Sequence, residues 1–289
     1  MPVTEREDTP REYAVASTQA FDPEYAAFVR SVHRLTGVDL AAYKPEQMRR
    51  RLTALAARHG AASLSAFAEL MQRDPAALQA FKNFFTINVS EFLRDPARWD
   101  DLARVVLPRL YEEGGRRPLR VWSAGCAGGA EPYSLAMLLE ELAPAQPHRI
   151  LATDIDEAIL ARAMRGSGYQ EAEVRNVSPA RRARFFTRAA DGTYAVVPSL
   201  RTRVTFRRQD LLREIPGQGW DLIVCRNVVI YFTEEAKRAL YARLAEALRP
   251  GGALFVGGTE VVPAARELGF VPLCTSFYQK GRLRGAGAA

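Results

Sequence analysis

The stretch RVWSAGCAGGAEPYSLAML, which runs from Arg120 to Leu138, decides the fold of this 289-residue chain. Apolar and small residues lead into a glycine-rich turn, and a helical pattern with a glutamate near its start follows. In a doubly wound α/β sheet, the ligand lies where the first strand turns into the first helix. The stretch therefore predicts a ligand site at the end of a buried strand.

The sequence around this stretch, over residues 116–289, alternates between short apolar runs and helical patterns. This alternation predicts an α/β domain with a mostly parallel, doubly wound sheet and helices on both faces. Helices are expected near 131–143, 157–165 and 234–248. Within residues 176–203 the pattern breaks, and two short runs around an Asp-Gly turn predict a small antiparallel β insertion.

The part of the chain before residue 116 has a helical pattern. Residues 1–20 are expected to form a flexible tail, residues 21–92 a small helical domain, and residues 93–115 a linker helix. Pro45, Ser63 and Pro75 mark the starts of three helices in the helical domain. Their apolar residues recur at helical spacing, as in Met48, Leu52 and Leu55, so one face of each helix should pack inward.

Composition limits the class of protein. The chain is 48% hydrophobic and 25% charged, and its apolar runs fall short of the roughly 18 residues that span a bilayer. The charged start, MPVTEREDTPREY, is unlike a signal peptide. Three widely spaced cysteines predict neither a disulfide framework nor a zinc site. We therefore expect a cytoplasmic protein without a metal, and its net charge of +7 invites an anionic partner.

The glycine turn carries a carboxylate, Glu131, at the start of the following helix. A pyrophosphate site uses free N–H groups at this position and avoids negative charge. A carboxylate there disfavours a dinucleotide and suits a ligand with an ammonium group and no phosphate. S-adenosylmethionine, which carries an α-amino group and a sulfonium, meets that description. The alternative is that Glu131 only complements the helix dipole.

Polar residues also follow three other predicted strands. Asp154 in ATDID is placed to accept hydrogen bonds from ribose hydroxyls, and Asp156 is expected to cap the next helix, although both could be caps. Asp210 ends the third strand, where it could meet an adenine, and Arg226 and Asn227 follow the fourth. Because the carboxyl ends of parallel strands lie at one edge, we expect these side chains in one crevice.

The order of these motifs resembles a known family. TINVSEFLRD, VWSAGCAGGAEPYSLAM, ATDID, CRNVVIYF and LFVGGTE occur as in the CheR family, the chemotaxis protein-glutamate O-methyltransferases, and the resemblance extends from about residue 21 to 282. It implies methyl transfer from S-adenosylmethionine to glutamate side chains on the cytoplasmic helices of chemoreceptors, with S-adenosylhomocysteine as product. Ala130 and Gly258 depart from the family pattern, which usually has glutamate and histidine at these two positions.

The resemblance also implies which residues form the site. Tyr231 is expected near the transferred methyl group, and Arg94 beside the cofactor and the substrate carboxylate. The alternatives are an ion pair of Arg94 with Asp95 and packing of Tyr231 beside Phe232. The implied cofactor contacts are Asn88, Ser90, Arg94, Glu131, Asp154, Asp210, Leu211, Arg226 and Asn227.

Basic residues concentrate on one predicted helix. Lys44, Arg51 and Arg58 are spaced by sevens and should lie along one side of it, where they could attract a glutamate-rich receptor helix or simply be solvated. Two other functions stay open: a methyltransferase acting on another acidic protein or on nucleic acid, and a cofactor-binding regulator without catalysis. Nucleic acid is disfavoured because no strip of basic and aromatic residues is visible for stacking bases.

Overall fold

A computed structural model of the chain describes residues 22–85, 90–144 and 146–281. Its first part is a bundle of helices, and the predicted starts at Pro45, Ser63 and Pro75 are confirmed to within one residue. The predicted tail, residues 1–20, lies outside the described residues. The helices of the bundle are α1 (Pro23–Thr36), α2 (Pro45–Arg58), α3 (Leu64–Arg73) and α4 (Pro75–Phe85).

Local chemistry explains where these helices begin. The Asp22 carboxylate accepts hydrogen bonds from the backbone of Glu24 and Tyr25, and the Ser63 hydroxyl accepts one from Ala66, so backbone donors at both starts are satisfied. The apolar faces then meet in one cluster, in which the ring of Phe28 packs against other aromatic rings. Burial of this cluster stabilises helices that would be marginal alone.

The predicted linker helix consists of α5 (Pro96–Asp101), a π-helical turn (Leu102–Val106) and α6 (Leu107–Glu113). Trp99, Leu102 and Val106 are buried together on one face, as predicted. The π-helical turn ends two residues before Pro108, whose ring has no N–H and crowds the preceding turn of a regular helix. The wider turn accommodates this proline without breaking the helix.

The rest of the chain forms the predicted α/β unit. Its helices are α7 (Ala130–Leu142), α8 (Glu157–Arg165), α9 (Glu171–Val174), α10 (Pro179–Phe185), α11 (Pro198–Arg201) and α12 (Glu234–Ala247). Its strands are β1 (Arg120–Ala124), β2 (Arg149–Asp154), β3 (Phe186–Arg188), β4 (Tyr194–Val196), β5 (Val204–Arg208), β6 (Trp220–Cys225), β7 (Leu248–Val256), β8 (Phe270–Cys274) and β9 (Phe277–Lys280).

The main sheet has the order β5-β2-β1-β6-β7-β9-β8, in which the first five strands are parallel. Alternate residues of β6 enter opposite cores: Leu222 and Val224 face one, Ile223 and Cys225 the other. The sheet is therefore covered on both faces, which confirms the predicted doubly wound fold. Strands β8 and β9, which pair antiparallel at one edge, had no counterpart in the sequence-based prediction.

The expected break in the alternating pattern is an antiparallel pair formed by β3 and β4. The turn between them contains Asp191 and Gly192, and the Asp191 carboxylate accepts hydrogen bonds from the backbone and the hydroxyl of Thr193. This confirms the β pair and its Asp-Gly turn. Across the residues that the structure describes, no helix combines the length and apolar character that crossing a bilayer requires.

Candidate active site

A cavity of about 380 Å³ opens at the carboxyl ends of β1, β2, β5 and β6. Every sequence-predicted site residue that the structure describes lines it, whereas Asn88 lies outside the described residues. The parallel topology brings these side chains together although they are spread over more than 100 residues of chain. The predicted residues that line the cavity are Ser90, Arg94, Glu131, Asp154, Asp210, Leu211, Arg226, Asn227 and Tyr231.

The glycine turn that follows β1 is hydrogen-bonded to the neighbouring strand, β2. The backbone N–H groups of Gly125 and Cys126 both donate to the Thr153 carbonyl, at 2.8 and 2.9 Å. Gly125 has φ +79°, and a Cβ there would lie 2.5 Å from a methyl group of Val228. Only glycine fits this position, so the turn brings bare backbone to the cavity wall.

Glu131 lies in the first turn of α7 and its carboxylate turns back toward the end of β1. One oxygen accepts a hydrogen bond of 2.7 Å from the Ser123 hydroxyl, and the other lies 3.9 Å from Arg226 Nη1. Burial raises the pKa of Glu131 to about 7, against the opposing effects of Arg226 and Ser123. Glu131 also lines the cavity.

Asp154 ends β2 and holds the glycine turn. Its two oxygens accept hydrogen bonds from the backbone of Ala127 at 2.8 Å and of Asp156 at 3.1 Å. Asp156, in contrast, is the N-cap of α8, where its carboxylate accepts from Ala158 and Ile159. Only Asp156 is a helix cap, so the alternative in which both residues are caps is wrong. Asp154 also lines the cavity, where its carboxylate can accept a further hydrogen bond from a ligand.

The segment after β5 contributes Asp210 and Leu211. One Asp210 oxygen accepts a 2.9 Å hydrogen bond from the backbone of Leu212, which fixes the turn, and the Leu211 side chain adds apolar surface. Arg243 donates to the Leu211 carbonyl at 2.7 Å and ties this turn to α12. The cavity thus combines acidic and apolar walls at this end.

Arg226 is almost entirely buried directly after β6. Its Nη2 atom donates to Asp95 Oδ2 at 2.7 Å and to the Arg94 carbonyl at 3.0 Å, and the guanidinium lies over the rings of Trp99 and Phe255. Burial lowers the pKa of Arg226, while the charges of Glu131 and Asp95 act against that shift. A buried guanidinium with these partners serves as a fixed anchor for the site.

The position of Arg226 bears on the partner of Asp95. The ion pair that the sequence left open between Arg94 and Asp95 is replaced by the pair of Asp95 with Arg226. The backbone explains the change, because Leu93 and Asp95 both have positive φ values, 52° and 62°. The turn directs the carboxylate of Asp95 to Arg226 and leaves the Arg94 side chain on the cavity wall.

Tyr231 ends a 3₁₀ turn (Val229–Tyr231) after β6. The Arg51 guanidinium lies 5.4 Å from its ring centroid, while the ring of Phe232 packs edge-on against Tyr43 at 4.9 Å. The described ring contact of Tyr231 is therefore with Arg51 from the helical bundle, and Phe232 packs elsewhere. Tyr231 itself lines the cavity.

The structure adds residues that the sequence analysis did not assign to the site. Glu260 is buried and its Oε2 atom accepts from the backbone of Asn227 at 2.9 Å and of Gly257 at 2.7 Å. It holds Asn227 at φ 58°, a conformation that L-residues rarely adopt. Tyr43, from the helical bundle, also lines the cavity. Its only sequence signal is its place before the basic helix.

The basic helix is not a uniformly solvated face. Arg51 is half-buried, its Nη2 atom donates to the Phe84 carbonyl at 3.1 Å, and its guanidinium lies 4.8 Å from the Phe84 ring centroid. Lys44 is also half-buried and precedes the helix, whereas Arg58 is exposed near its end. Arg51 is thus held beside the cavity, and Arg58 is presented to solvent.

These residues fit S-adenosylmethionine. Glu131 in its ionised form suits an ammonium group, Asp154 can accept from ribose hydroxyls, and Leu211 supplies apolar surface for a base. Three carboxylates on the walls, those of Glu131, Asp154 and Asp210, disfavour a pyrophosphate. The volume of about 380 Å³ lies in the range of small-ligand sites.

Comparison with known proteins shows which family the chain belongs to. The family described as "CheR methyltransferase, SAM binding domain" matches residues 88–274, and "CheR methyltransferase, all-alpha domain" matches residues 23–86. The chemotaxis protein methyltransferase of Listeria monocytogenes is 43% identical over 259 residues, which cover 90% of this chain and 98% of that protein. Chemotaxis protein methyltransferase 1 of Pseudomonas aeruginosa is 33% identical, over 84% of this chain and 92% of its own. The chain therefore belongs to the CheR methyltransferase family and uses S-adenosylmethionine as its methyl donor.

Proposed function

We propose that the chain is a protein-glutamate O-methyltransferase that esterifies glutamate side chains on the cytoplasmic helices of chemoreceptors. The observation that carries this proposal is that Arg94 and Tyr231 line the same cavity as Glu131 and Asp154. A guanidinium beside a cofactor site suits a carboxylate substrate. The names of the relatives, chemotaxis protein methyltransferases, support the assignment to chemotaxis.

The proposed chemistry needs little acid–base catalysis. A glutamate side chain, with a pKa of about 4.3, is already ionised at neutral pH, so its oxygen needs no base before it attacks. When bound, the cofactor supplies an electrophilic methyl group on its sulfonium. The protein's task is to orient the incoming carboxylate and to remove water from it, which is mainly positioning.

Arg94 is the proposed orienting group for the substrate. Its planar guanidinium can hold a carboxylate through two parallel hydrogen bonds, which lysine cannot do. Arg226 keeps the Arg94 backbone in place through the 3.0 Å hydrogen bond to its carbonyl and the ion pair with Asp95. Tyr231 lines the same cavity, where its hydroxyl can donate to the substrate carboxylate.

The proposal includes roles for the parts of the chain. Residues 21–92 form the helical domain, residues 93–115 the linker, and residues 116–289 the catalytic domain with its insertion at 176–203. The basic helix, with Lys44, Arg51 and Arg58, attracts the glutamate-rich receptor helix, because opposite charges steer association. The enzyme then works in the cytoplasm, without nucleic acid and without membrane insertion.

Transfer of labelled methyl groups to a purified receptor fragment tests the proposal. We expect label in the fragment, released as methanol by mild base as a glutamate ester would be, and absent when the acceptor glutamates are alanine. RNA and DNA serve as competing substrates, and calorimetry without substrate measures cofactor binding. Label in nucleic acid would contradict the proposal. Cofactor binding without any methyl transfer would instead identify a regulator.

A further inference from the structure

The helical domain reaches the cofactor cavity through a short backbone bridge. The Lys44 N–H donates to the Tyr231 carbonyl at 2.9 Å, and the Thr233 N–H donates to the Ala42 carbonyl at 2.9 Å. These two hydrogen bonds pair Tyr43 with Phe232 in antiparallel fashion. The segment before α2 is therefore joined to the segment that carries Tyr231.

The bridge places the side chain of Tyr43 between two hydrophobic cores. Its ring contacts the core of the helical domain and the core on one face of the sheet, and it packs edge-on against Phe232 with ring planes at 88°. The same residue lines the cavity of about 380 Å³. A side chain packed on both sides in this way has few rotamers left, so it presents a fixed surface to the cavity.

The surroundings of Tyr43 identify the end of the cavity that it faces. Burial raises the pKa of the Tyr43 phenol, and the charges of Asp210 and Asp154 add to that effect. The phenol therefore remains a neutral hydroxyl at physiological pH. The Tyr43 ring packs against the apolar cluster that contains Leu211, the residue after Asp210. Asp210 and Asp154 line the same cavity as Tyr43. These carboxylates are the ones that suit a ribose and an adenine.

We propose that Tyr43 is a cofactor-binding residue, supplied by the helical domain, that contacts the nucleoside of S-adenosylmethionine and couples cofactor binding to docking of the helical domain. An aromatic side chain offers a nucleoside both a flat apolar surface and a hydroxyl. A ligand that contacts both the helical domain and the α/β unit binds more tightly when the two are docked, so its binding stabilises the docked arrangement. The inference depends on the cofactor and not on the identity of the methylated substrate.

The first test compares the affinity for S-adenosylhomocysteine of three variants by calorimetry. Tyr43→Phe removes one neutral hydrogen bond and should weaken binding about 3- to 10-fold, and Tyr43→Ala should weaken it more than tenfold. Tyr25→Phe is the matched control, because Tyr25 belongs to the helical domain and is absent from the cavity lining. It should bind within about twofold of the parent.

The second measurement is hydrogen exchange at the bridge, and it requires no activity. In the parent, S-adenosylhomocysteine should slow exchange at Lys44 and Thr233, and in Tyr43→Ala this protection should be lost. Thermal melts of the free variants show whether they fold. If Tyr43→Ala does not fold, the proposal is tested by the affinity of Tyr43→Phe and by the exchange data of the parent. Parental affinity in Tyr43→Phe together with unchanged exchange at the bridge would overturn the proposal.

Discussion

Arg226 forms an ion pair of 2.7 Å with Asp95, and the same nitrogen donates to the Arg94 carbonyl. The buried residue after β6 therefore fixes the backbone of the segment that carries the proposed orienting guanidinium. The Asp95 carboxylate is paired with Arg226, and Arg94 lines the cavity.

Arg94→Lys and Arg94→Ala should both lower single-turnover methylation of a receptor fragment at saturating cofactor. Loss of a charge-assisted hydrogen bond of about 1.5–3 kcal/mol corresponds to roughly 10- to 150-fold in rate. Arg98→Lys is the matched control, since Arg98 is half-buried in α5, pairs with Asp101 and does not line the cavity. Near-parental turnover of Arg94→Lys would show that Arg94 does not orient the substrate carboxylate.

Asp154→Asn should weaken cofactor binding by roughly 10- to 150-fold, because ribose hydroxyls lose a charged acceptor that contributes about 1.5–3 kcal/mol. Asp156→Asn removes a carboxylate two residues away and keeps the helix cap, since asparagine caps as well as aspartate. Calorimetry with S-adenosylhomocysteine should show a large effect only for the first variant. Equal affinities would show that Asp154 serves only the glycine turn.

Cofactor affinity should fall as the pH is lowered through about 7, because burial raises the pKa of Glu131 to about 7 and only the carboxylate form attracts an ammonium group. Calorimetry between about pH 6 and 8, in buffers with different ionisation enthalpies, should therefore detect proton release on binding. Glu131→Gln should bind more weakly and without proton release. An affinity independent of pH in the parent would contradict this assignment.

The raised pKa of Glu131 also affects the stability of the cofactor-free protein. Its contribution to stability falls as the pH rises, whereas cofactor affinity should increase. A carboxyl group whose pKa is higher in the folded state binds more protons there, so its contribution to the free energy of unfolding is present below pH 4.5 and is lost as the pH rises to about 7. Urea unfolding of the parent and of Glu131→Gln over this range measures that contribution. Identical pH dependences in the two proteins would show that the pKa is not raised.

Arg58→Glu should slow receptor methylation at low salt and reduce its salt dependence, while cofactor affinity stays at the parental value. Arg51→Glu should also lower turnover at saturating receptor, because Arg51 lies against the Tyr231 ring. Arg73→Glu, at an exposed position at the end of α3, is the control for net charge. Equal methylation rates for Arg58→Glu and Arg73→Glu would leave Arg58 as a merely solvated residue.

Local sequence chemistry determined most of the elements and much of the cavity. Proline and serine at helix starts, the glycine turn and the alternating apolar runs depend on interactions within a few residues of chain. The topological rule for parallel sheets then places Asp154 and Asp210 at one edge without further information. These residues could be predicted because their positions follow from the strand that each one ends.

Tertiary structure alone decided which partners these residues have. The pair of Arg226 with Asp95, the support of Asn227 by Glu260 and the entry of Tyr43 into the cavity each join segments more than 30 residues apart. No local periodicity encodes such contacts, because they depend on how the helical domain and the loops pack on the finished sheet. For the same reason the sequence specified a cofactor crevice, while docking of the helical domain completed its wall.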